Sequence, residues 1–335
     1  MIPDIRQFLG EDWVRTDALM ARYLASDIRL LDRTNASLLE GSGKKIRPLL
    51  CLLVARATGG QVFESTCHYA AAMELLHNAT LLHDDVVDGS DERRGRPTVQ
   101  SILGGTASVL IGDYWLVKAL ECILDAGGTE TNEILRMFSW TLSSLASGEI
   151  LQLQMALNCE TREEEYLRII RCKTACMFET AAVAGARSVG ASEETVAAAR
   201  AYALNVGLAF QIRDDILDYT GGAELGKPVG QDLTEQKITL PLLEALAAAP
   251  HQEAEIRRKV REIGGHPEYR DDIVDFVAAH DGIARATQRL NGFIEVAKQQ
   301  ISHFVRNDRG VIPSASEESV SYLLKLADYT ALRQA

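Results

Sequence analysis

A long stretch without proline limits the fold of this chain more than any other feature. Residues 98–227 contain no proline, and apolar residues within them recur every three to four positions. Leu135, Phe138, Leu142 and Leu145 show the spacing that places side chains on one face of a helix. A proline inside a helix removes a hydrogen bond and clashes with the preceding turn, so its absence favours successive long helices.

The same periodicity predicts an all-α bundle with short connections and antiparallel neighbours. Strand-like alternation bounded by hairpin turns is missing. No linker divides the chain, so we expect one domain over residues 1–335, with a motif-bearing core at about 40–245. Glycine-containing breaks near 89, 127, 190 and 221 separate the clearest helical segments, which are residues 64–88, 132–157, 163–187 and 192–219.

Charge and composition exclude several functional classes. With 47% hydrophobic and 24% charged residues, the chain is globular. Its net charge of -12 argues against a nucleic-acid partner, because affinity for phosphate backbones comes from clustered Lys and Arg. Six cysteines without a Cys-x-x-Cys pair predict reduced, buried thiols. We expect a cytoplasmic protein, since we find neither a secretory signal nor an uninterrupted apolar run of ~18 residues.

Two short acidic sequences carry the strongest chemical signal. Residues 84–88 and 214–218 both read Asp-Asp-x-x-Asp, and each follows an apolar helical segment and precedes a glycine. The first and last aspartates share a helix face, where like charges cost about 0.2–0.5 kcal/mol per pair, and the macrodipole disfavours anions at a helix C-terminus. One copy would suit a solvated helix end. Two copies indicate a bound cation, and we expect the two ends to face one cleft.

The preferred cation for such clusters is Mg²⁺, because it favours hard oxygen ligands. Mg²⁺ usually keeps several waters and links one or two carboxylates to substrate phosphates, which points to a diphosphate ligand. Local basic residues could neutralise phosphate oxygens, with arginine giving two-pronged contacts. They are Arg93 and Arg94 after the first cluster, Lys227 and Lys237 after the second, and Lys44, Lys45 and Arg47 near the N-terminus.

Five motifs occur in a fixed order. They are Gly43-Lys44-Lys45-x-Arg47-Pro48; His77-x-x-x-Leu81-Leu82-His83-Asp84-Asp85-x-x-Asp88 with Arg93-Arg94-Gly95; Lys173-Thr174-Ala175; Gly207-x-x-Phe210-Gln211-x-x-Asp214-Asp215-x-x-Asp218; and Gly226-Lys227-Pro228-x-Gly230-x-Asp232-Leu233. Together they resemble the trans-isoprenyl diphosphate synthase family, also called polyprenyl synthetases, over about residues 40–245. Ser42-Gly43-Lys44-Lys45 stands where that family often has Gly-Gly-Lys-Arg, which leaves the role of Lys45 open.

This resemblance implies an isoprenoid-synthase bundle with a central active-site cavity, Mg²⁺ as cofactor, and a homodimer. The implied substrates are isopentenyl diphosphate and an allylic prenyl diphosphate. The implied metal-binding residues are Asp84, Asp85, Asp88, Asp214 and Asp218, with Asp215 in support. Arg93, Lys173, Lys227 and Lys237 would bind the allylic diphosphate near Thr174 and Gln211, and Lys44, Arg47, His77 and Arg94 would bind that of isopentenyl diphosphate.

The implied reaction is electrophilic. The allylic C–O bond ionises, and the double bond of isopentenyl diphosphate attacks the resulting cation. A proton then leaves, and we expect the departing diphosphate to accept it. Preorganised positive charge stabilises the leaving group, so no side-chain nucleophile is needed. This fits the absence of a Gly-x-Ser-x-Gly sequence or another convincing nucleophile motif.

Product length should depend on residues one helical turn below the first cluster. Ala79 and Thr80 lie there and both are small, where short-product members of the family often carry aromatic residues. We therefore predict a long-chain product, such as a quinone side chain. Phe138, Trp140 or Trp115 could form the deeper floor of the tunnel, or each could be ordinary core.

Three alternatives remain open at this point. A farnesyl or geranylgeranyl diphosphate synthase would share these motifs but make a short product. A His-Asp metal-dependent phosphohydrolase would use His83-Asp84, but it would need further histidine ligands and leaves the second cluster unexplained. A non-catalytic synthase subunit would have eroded motifs, and both clusters are intact.

Overall fold

Helices joined by short turns make up nearly all of the described chain, which confirms the predicted all-α class. A computed structural model describes residues 1–41, 43–221, 230–305 and 314–332. The helices are α1 Ile2–Leu9, α2 Glu11–Leu24, α3 Arg29–Gly41, α4 Ile46–Gly59, α5 Glu64–Val87, α6 Val99–Leu103, α7 Gly105–Leu124, α8 Thr131–Asn158, α9 Glu163–Ile170, α10 Cys176–Ser188, α11 Glu193–Thr220, α12 Gln231–Thr234, α13 Leu240–Ala248, α14 Glu253–Glu262, α15 Tyr269–Ala279, α16 Gly282–Val305 and α17 Ser314–Leu332.

The four helical segments predicted from periodicity are confirmed. Three of them match α5, α8 and α11 to within one or two residues at each end. The segment predicted at 163–187 contains α9 and α10, but a π-helical turn at Arg171–Ala175 joins them. One wider turn adds too little to a hydrophobic pattern to be visible in sequence, although such turns are frequent at functional sites.

One very short β-hairpin accompanies the helices in the described residues. Glu92–Arg93 forms β1 and Arg96–Pro97 forms β2, and the two strands pair antiparallel. Arg94 and Gly95 connect them with φ values of +54° and +73°, which is the backbone of a tight hairpin turn. Strands of two residues are too short to show alternation, so periodicity could not predict them.

The chain divides into two compact units. The first contains Met1–Ser139, Thr180–Arg200 and His303–Leu323. Its core is built on α4, whose residues from Leu49 to Ala55 are fully buried, and on α5, which packs against α2, α4 and α7. A helix that is apolar on all sides belongs inside a protein, which explains the central position of α4 within this unit.

The second unit contains Trp140–Glu179, Ala201–Ser302 and Leu324–Ala335. Here α13 packs against α9 and α15, with Leu240, Leu242 and Leu246 buried. The single domain over residues 1–335 and the central cavity, both expected from sequence, stay predictions.

Among the described residues, no helix combines the length and apolar character that crossing a membrane requires. The cytoplasmic location expected from sequence likewise stays a prediction.

Substitution of Gly185 should destabilise the first unit. A Cβ atom at this position of α10 would lie 2.2 Å from the carbonyl oxygen of Cys51 in α4, a backbone atom that no rotamer change can move. We expect Gly185→Ala to lower the free energy of unfolding by about 1–3 kcal/mol or more. Urea denaturation followed by circular dichroism measures the change.

Gly292→Ala is the matched control, because a Cβ atom there meets nothing within 4 Å on the exposed side of α16. This variant should gain about 0.5–1 kcal/mol from helix propensity. Equal stability of the two variants would show that the close contact between α10 and α4 is not a constraint.

Candidate active site

The first aspartate cluster lies at the end of α5, in the first unit. Asp85 is buried, with 5% of its surface exposed, and its Oδ1 accepts a hydrogen bond of 2.8 Å from Nε of Arg93. Asp84 is half-buried and Asp88 is exposed. The helix therefore turns its first and last aspartates toward solvent, while an ion pair with the half-buried Arg93 fixes the middle one.

The second cluster, at the end of α11 in the second unit, repeats this arrangement with different partners. Asp215 is buried and accepts hydrogen bonds from the Tyr166 hydroxyl, at 2.6 Å, and from Nε2 of Gln211, at 2.9 Å. Asp214 and Asp218 are half-buried. That Asp215 supports the metal-binding shell stays a prediction, and its carboxylate is already engaged by these two donors.

Asp218 also organises the chain that follows the cluster. Its two carboxylate oxygens accept hydrogen bonds from the backbone N–H groups of Gln231, at 3.1 Å, and Asp232, at 3.2 Å. Burial raises the pKa of Asp232, and the negative charges of Asp215 and Asp218 raise it further. Three acids thus share one small region, where a divalent cation would relieve their mutual repulsion.

Lys173 and Thr174 lie on the π-helical turn between α9 and α10. Lys173 donates to Glu149, at 2.8 Å, and to Gln152, at 3.0 Å, both on α8. The Thr174 hydroxyl donates to Oε1 of Gln211 at 2.7 Å. Since Gln211 in turn donates to Asp215, the turn is linked by hydrogen bonds to the second cluster.

The motif glycine Gly207 permits this link. A Cβ atom there would lie 2.6 Å from the Cα of Ala175, so α11 approaches the turn more closely than any other residue type allows. Of the remaining predicted cations, Lys237 forms an ion pair with Glu235. Lys227 lies outside the described residues.

The residues predicted to bind isopentenyl diphosphate gather at the start of α4 and the middle of α5. Burial lowers the pKa of His77 well below its ordinary value, and the positive charges of Arg47, Arg94 and Arg93 lower it further. Gly43 lies directly against the Arg94 guanidinium, because a Cβ atom at residue 43 would be 2.1 Å from Nη1. The structure thus brings the basic turn, both hairpin arginines and His77 together.

Tyr166 and Glu74 belong to these clusters, although no sequence motif predicts them. Tyr166 has no motif around it, and nothing in sequence relates it to Asp215. Glu74 lies three residues before His77 on α5 and is buried; burial raises its pKa, while the charges of Arg47, Lys45 and Arg94 oppose that rise. The buried carboxylate of Glu74 partly balances the charge of these cations. Its position about one helical turn before His77 is the sequence feature that could have indicated it.

The residues predicted to set product length differ in their surroundings. Ala79 is buried in α5, and the Thr80 hydroxyl donates to the backbone oxygen of His77 at 2.8 Å. Phe138 is fully buried, and so is Trp115, whose Nε1 donates to Asn35 at 2.8 Å.

Trp140 is 42% exposed, which leaves Phe138 and Trp115 as the buried candidates for the tunnel floor.

His83, the histidine of the alternative His-Asp reading, contacts helix α7. Its Nε2 lies 3.3 Å from Asp113 and 3.4 Å from the carbonyl oxygen of Val109, both on α7. In the part of the chain that the structure describes, no three His, Cys, Asp or Glu side chains form a ready-made set of metal ligands. A metal that shares its coordination with substrate phosphates does not need such a set.

Comparison with known proteins agrees with this geometry. The polyprenyl synthetase family matches residues 28–281. An octaprenyl diphosphate synthase of Haemophilus influenzae is 38% identical over 290 residues, covering 86% of this chain and 87% of that protein.

Two solved structures share the fold. A decaprenyl diphosphate synthase from Rhodobacter capsulatus has a TM-score of 0.87 and 34% identity, and the match covers 100% of both chains. A polyprenyl synthase from Caulobacter crescentus, complexed with calcium and isoprenyl diphosphate, has a TM-score of 0.87 and 32% identity, covering 100% of this chain and 98% of that one.

The chain belongs to the polyprenyl synthetase family. It is therefore a prenyltransferase, as the motifs predict, and this family uses a divalent metal ion. The phosphohydrolase and the non-catalytic subunit are not favoured.

The lowered pKa of His77 predicts a specific pH dependence of stability. Folded His77 stays neutral where the unfolded chain takes up a proton, below the ordinary pKa of 6.5. The free energy of unfolding should therefore decrease as the pH is lowered below 6.5, by at most about 1.4 kcal/mol per pH unit for this group. His77→Gln removes this contribution, so wild type should lose stability relative to the variant between pH 7 and pH 5.

Urea denaturation of both proteins at several pH values measures the difference. His251→Gln, at an exposed histidine, is the control substitution. Parallel stability curves for wild type and His77→Gln would contradict a neutral imidazole at this half-buried position.

Proposed function

We propose that this prenyltransferase repeatedly condenses an allylic prenyl diphosphate with isopentenyl diphosphate to make a long-chain all-trans polyprenyl diphosphate. The observation that carries this proposal is the pair of matching helix ends, each with a buried middle aspartate and two more exposed ones. The relatives named as octaprenyl and decaprenyl diphosphate synthases support a long product. A side chain for a quinone is the use that we propose for it.

Mg²⁺ is the metal that we propose for the two clusters. Asp84 and Asp88 at the first, and Asp214 and Asp218 at the second, would hold it, with Asp85 contacting it directly or through water. Hard carboxylate oxygens and the crowding of Asp215, Asp218 and Asp232 fit a hard divalent cation. When bound, the metal neutralises the diphosphate and so helps it to leave.

The allylic diphosphate is bound by Arg93, Lys173 and Lys237, with Lys227 as the fourth predicted cation. In the structure the first three already contact the carboxylates of Asp85, Glu149 and Glu235, respectively. Their charges are thus placed before the substrate binds. Such preorganisation avoids the cost of reorienting charges as negative charge develops on the leaving oxygens.

Isopentenyl diphosphate is bound by Lys44, Arg47, Arg94 and His77. Neutral His77 acts as a hydrogen-bonding group beside three arginines and adds no further positive charge. The bound substrate offers its double bond to the allylic cation, and the proton released afterwards goes to the departing diphosphate. No side-chain nucleophile takes part.

The length of the product follows from the space below the first cluster. Ala79 gives the growing chain a small neighbour, and Thr80 is small with its hydroxyl already bonded to His77. The chain passes these positions and stops at a deeper residue, for which the buried Phe138 and Trp115 are the candidates.

A product assay tests this proposal. Purified protein is incubated with farnesyl and isopentenyl diphosphates in Mg²⁺, and the dephosphorylated products are separated by reverse-phase chromatography. We expect products well beyond C20, and none when EDTA replaces Mg²⁺. Ala79→Phe should shorten the product because its ring would block the tunnel.

Ala247→Phe is the matched control, since it makes the same change at an exposed position of α13. Wild-type products that stop at C20 would establish the short-chain alternative. An unchanged length in Ala79→Phe would show that residue 79 does not line the tunnel.

We also propose that the enzyme is a homodimer. Leu110, Val117 and Leu124 are 63%, 50% and 55% exposed, and they recur every seven residues along α7. A stripe with this spacing lies on one helix face and suits a second copy of the same chain.

Light scattering should give the molar mass of two chains, and Leu110→Glu should shift it toward one. A monomeric wild type would refute the dimer, and Arg136→Glu is a suitable charge-changing control on α8.

A further inference from the structure

The turn that carries Lys44 is held by the N-terminal helix α1. Nη2 of Arg6 donates to the backbone oxygens of Gly43, at 3.4 Å, and of Lys44, at 3.1 Å. Carbonyl oxygens are the negative ends of peptide dipoles and would repel a diphosphate. Arg6 binds both carbonyl oxygens and so fixes the orientation of the turn. The oxygens then point toward the Arg6 guanidinium.

The neighbouring Lys45 is anchored to α2. Its Nζ lies 2.6 Å from Oδ1 of Asp17 and 5.9 Å from the centre of the Trp13 ring. The Arg6 guanidinium lies 4.8 Å from the centre of the same ring. Lys45 also adopts φ +51°, a left-handed conformation that non-glycine residues hold only where surrounding contacts impose it.

These two helices are themselves firmly attached to α4. Arg56 donates to the backbone oxygens of Phe8 and Leu9, each at 2.8 Å, and to the Asp12 carboxylate at 2.6 Å. Helix α4 begins with Ile46, directly after residues 43–45, and carries Arg47 in its first turn. Through Arg56, the same helix also holds α1 and α2, the two helices that contact residues 43–45.

We propose that α1 and α2 form a clasp, defined by Arg6, Trp13 and Asp17, that positions residues 43–45 so that Lys44 can bind isopentenyl diphosphate. In this arrangement Lys44 contacts the substrate, and Lys45 is the anchor through which the clasp holds the turn. The proposal rests on the proposed function of Lys44, and it resolves the role of Lys45 that the sequence left open. Arg6, Trp13 and Asp17 are positioning residues, since they act through the turn.

Steady-state kinetics with farnesyl and isopentenyl diphosphates tests the clasp. We expect Arg6→Ala to raise KM for isopentenyl diphosphate about tenfold, because it removes the charge-assisted hydrogen bonds to Gly43 and Lys44. KM for the allylic substrate and kcat should stay near wild type, because the turn contacts only one substrate. Arg6→Lys should recover part of the loss, since an ammonium can still donate to the carbonyl oxygens.

Arg29→Ala is the control, because it removes the same charge from an exposed position of α3. Asp17→Asn weakens the other end of the clasp at a half-exposed carboxylate, so it tests the proposal even if Arg6→Ala fails to fold. It should also raise KM for isopentenyl diphosphate selectively. Circular dichroism of each variant verifies folding.

A double-mutant cycle with Lys44→Ala separates the possible results. If Arg6 acts through Lys44, the double variant Arg6→Ala/Lys44→Ala is no worse than Lys44→Ala alone. Additive effects would overturn the clasp. An increase in KM for Lys44→Ala without one for Arg6→Ala or Asp17→Asn would also overturn it while leaving the function of Lys44 intact. An unchanged KM in Lys44→Ala would refute the proposed function of Lys44, and the clasp with it.

Discussion

Repulsion among closely spaced carboxylates is the constraint on which the site depends. Each Asp-Asp-x-x-Asp sequence ends a long helix, where the helix dipole and the neighbouring aspartates both oppose negative charge. In both clusters the middle aspartate is buried and held by side-chain donors, Arg93 for Asp85 and Tyr166 with Gln211 for Asp215. The remaining aspartates keep the more exposed positions, where a cation and a diphosphate can reach them.

The same balance of charge governs the basic residues. An acidic chain must concentrate positive charge locally to bind two diphosphates, and crowded cations repel one another as carboxylates do. Carboxylates therefore lie beside them: Glu149 contacts Lys173, Asp17 contacts Lys45, and buried Glu74 lies within electrostatic reach of Arg47 and Arg94. These partners hold the cations in fixed positions, which is the preorganisation that our proposed function requires.

Local pattern predicted much of the fold and supplied a set of candidate site residues. Apolar periodicity gave the long helices because their packing faces repeat every turn, and the order of the motifs gave the family. The π-helical turn at Lys173 and the hairpin around Arg94 were missed, since one five-residue turn and two strands of two residues are too short to show a repeating pattern. Tyr166, Glu74 and Arg6 were missed for another reason: each is defined by a contact with a residue that is distant in the chain or outside any motif.

The sequence by itself determined the helical class, the two aspartate clusters and the kind of substrate, because these depend on residue type and on spacing within one helix. Only the tertiary structure decided which aspartate of each cluster is buried, why Gly185 and Gly207 must lack a side chain, and which of the two adjacent lysines faces Asp17. Those outcomes depend on distances between separate helices. Such distances are set by packing, and no local pattern records them.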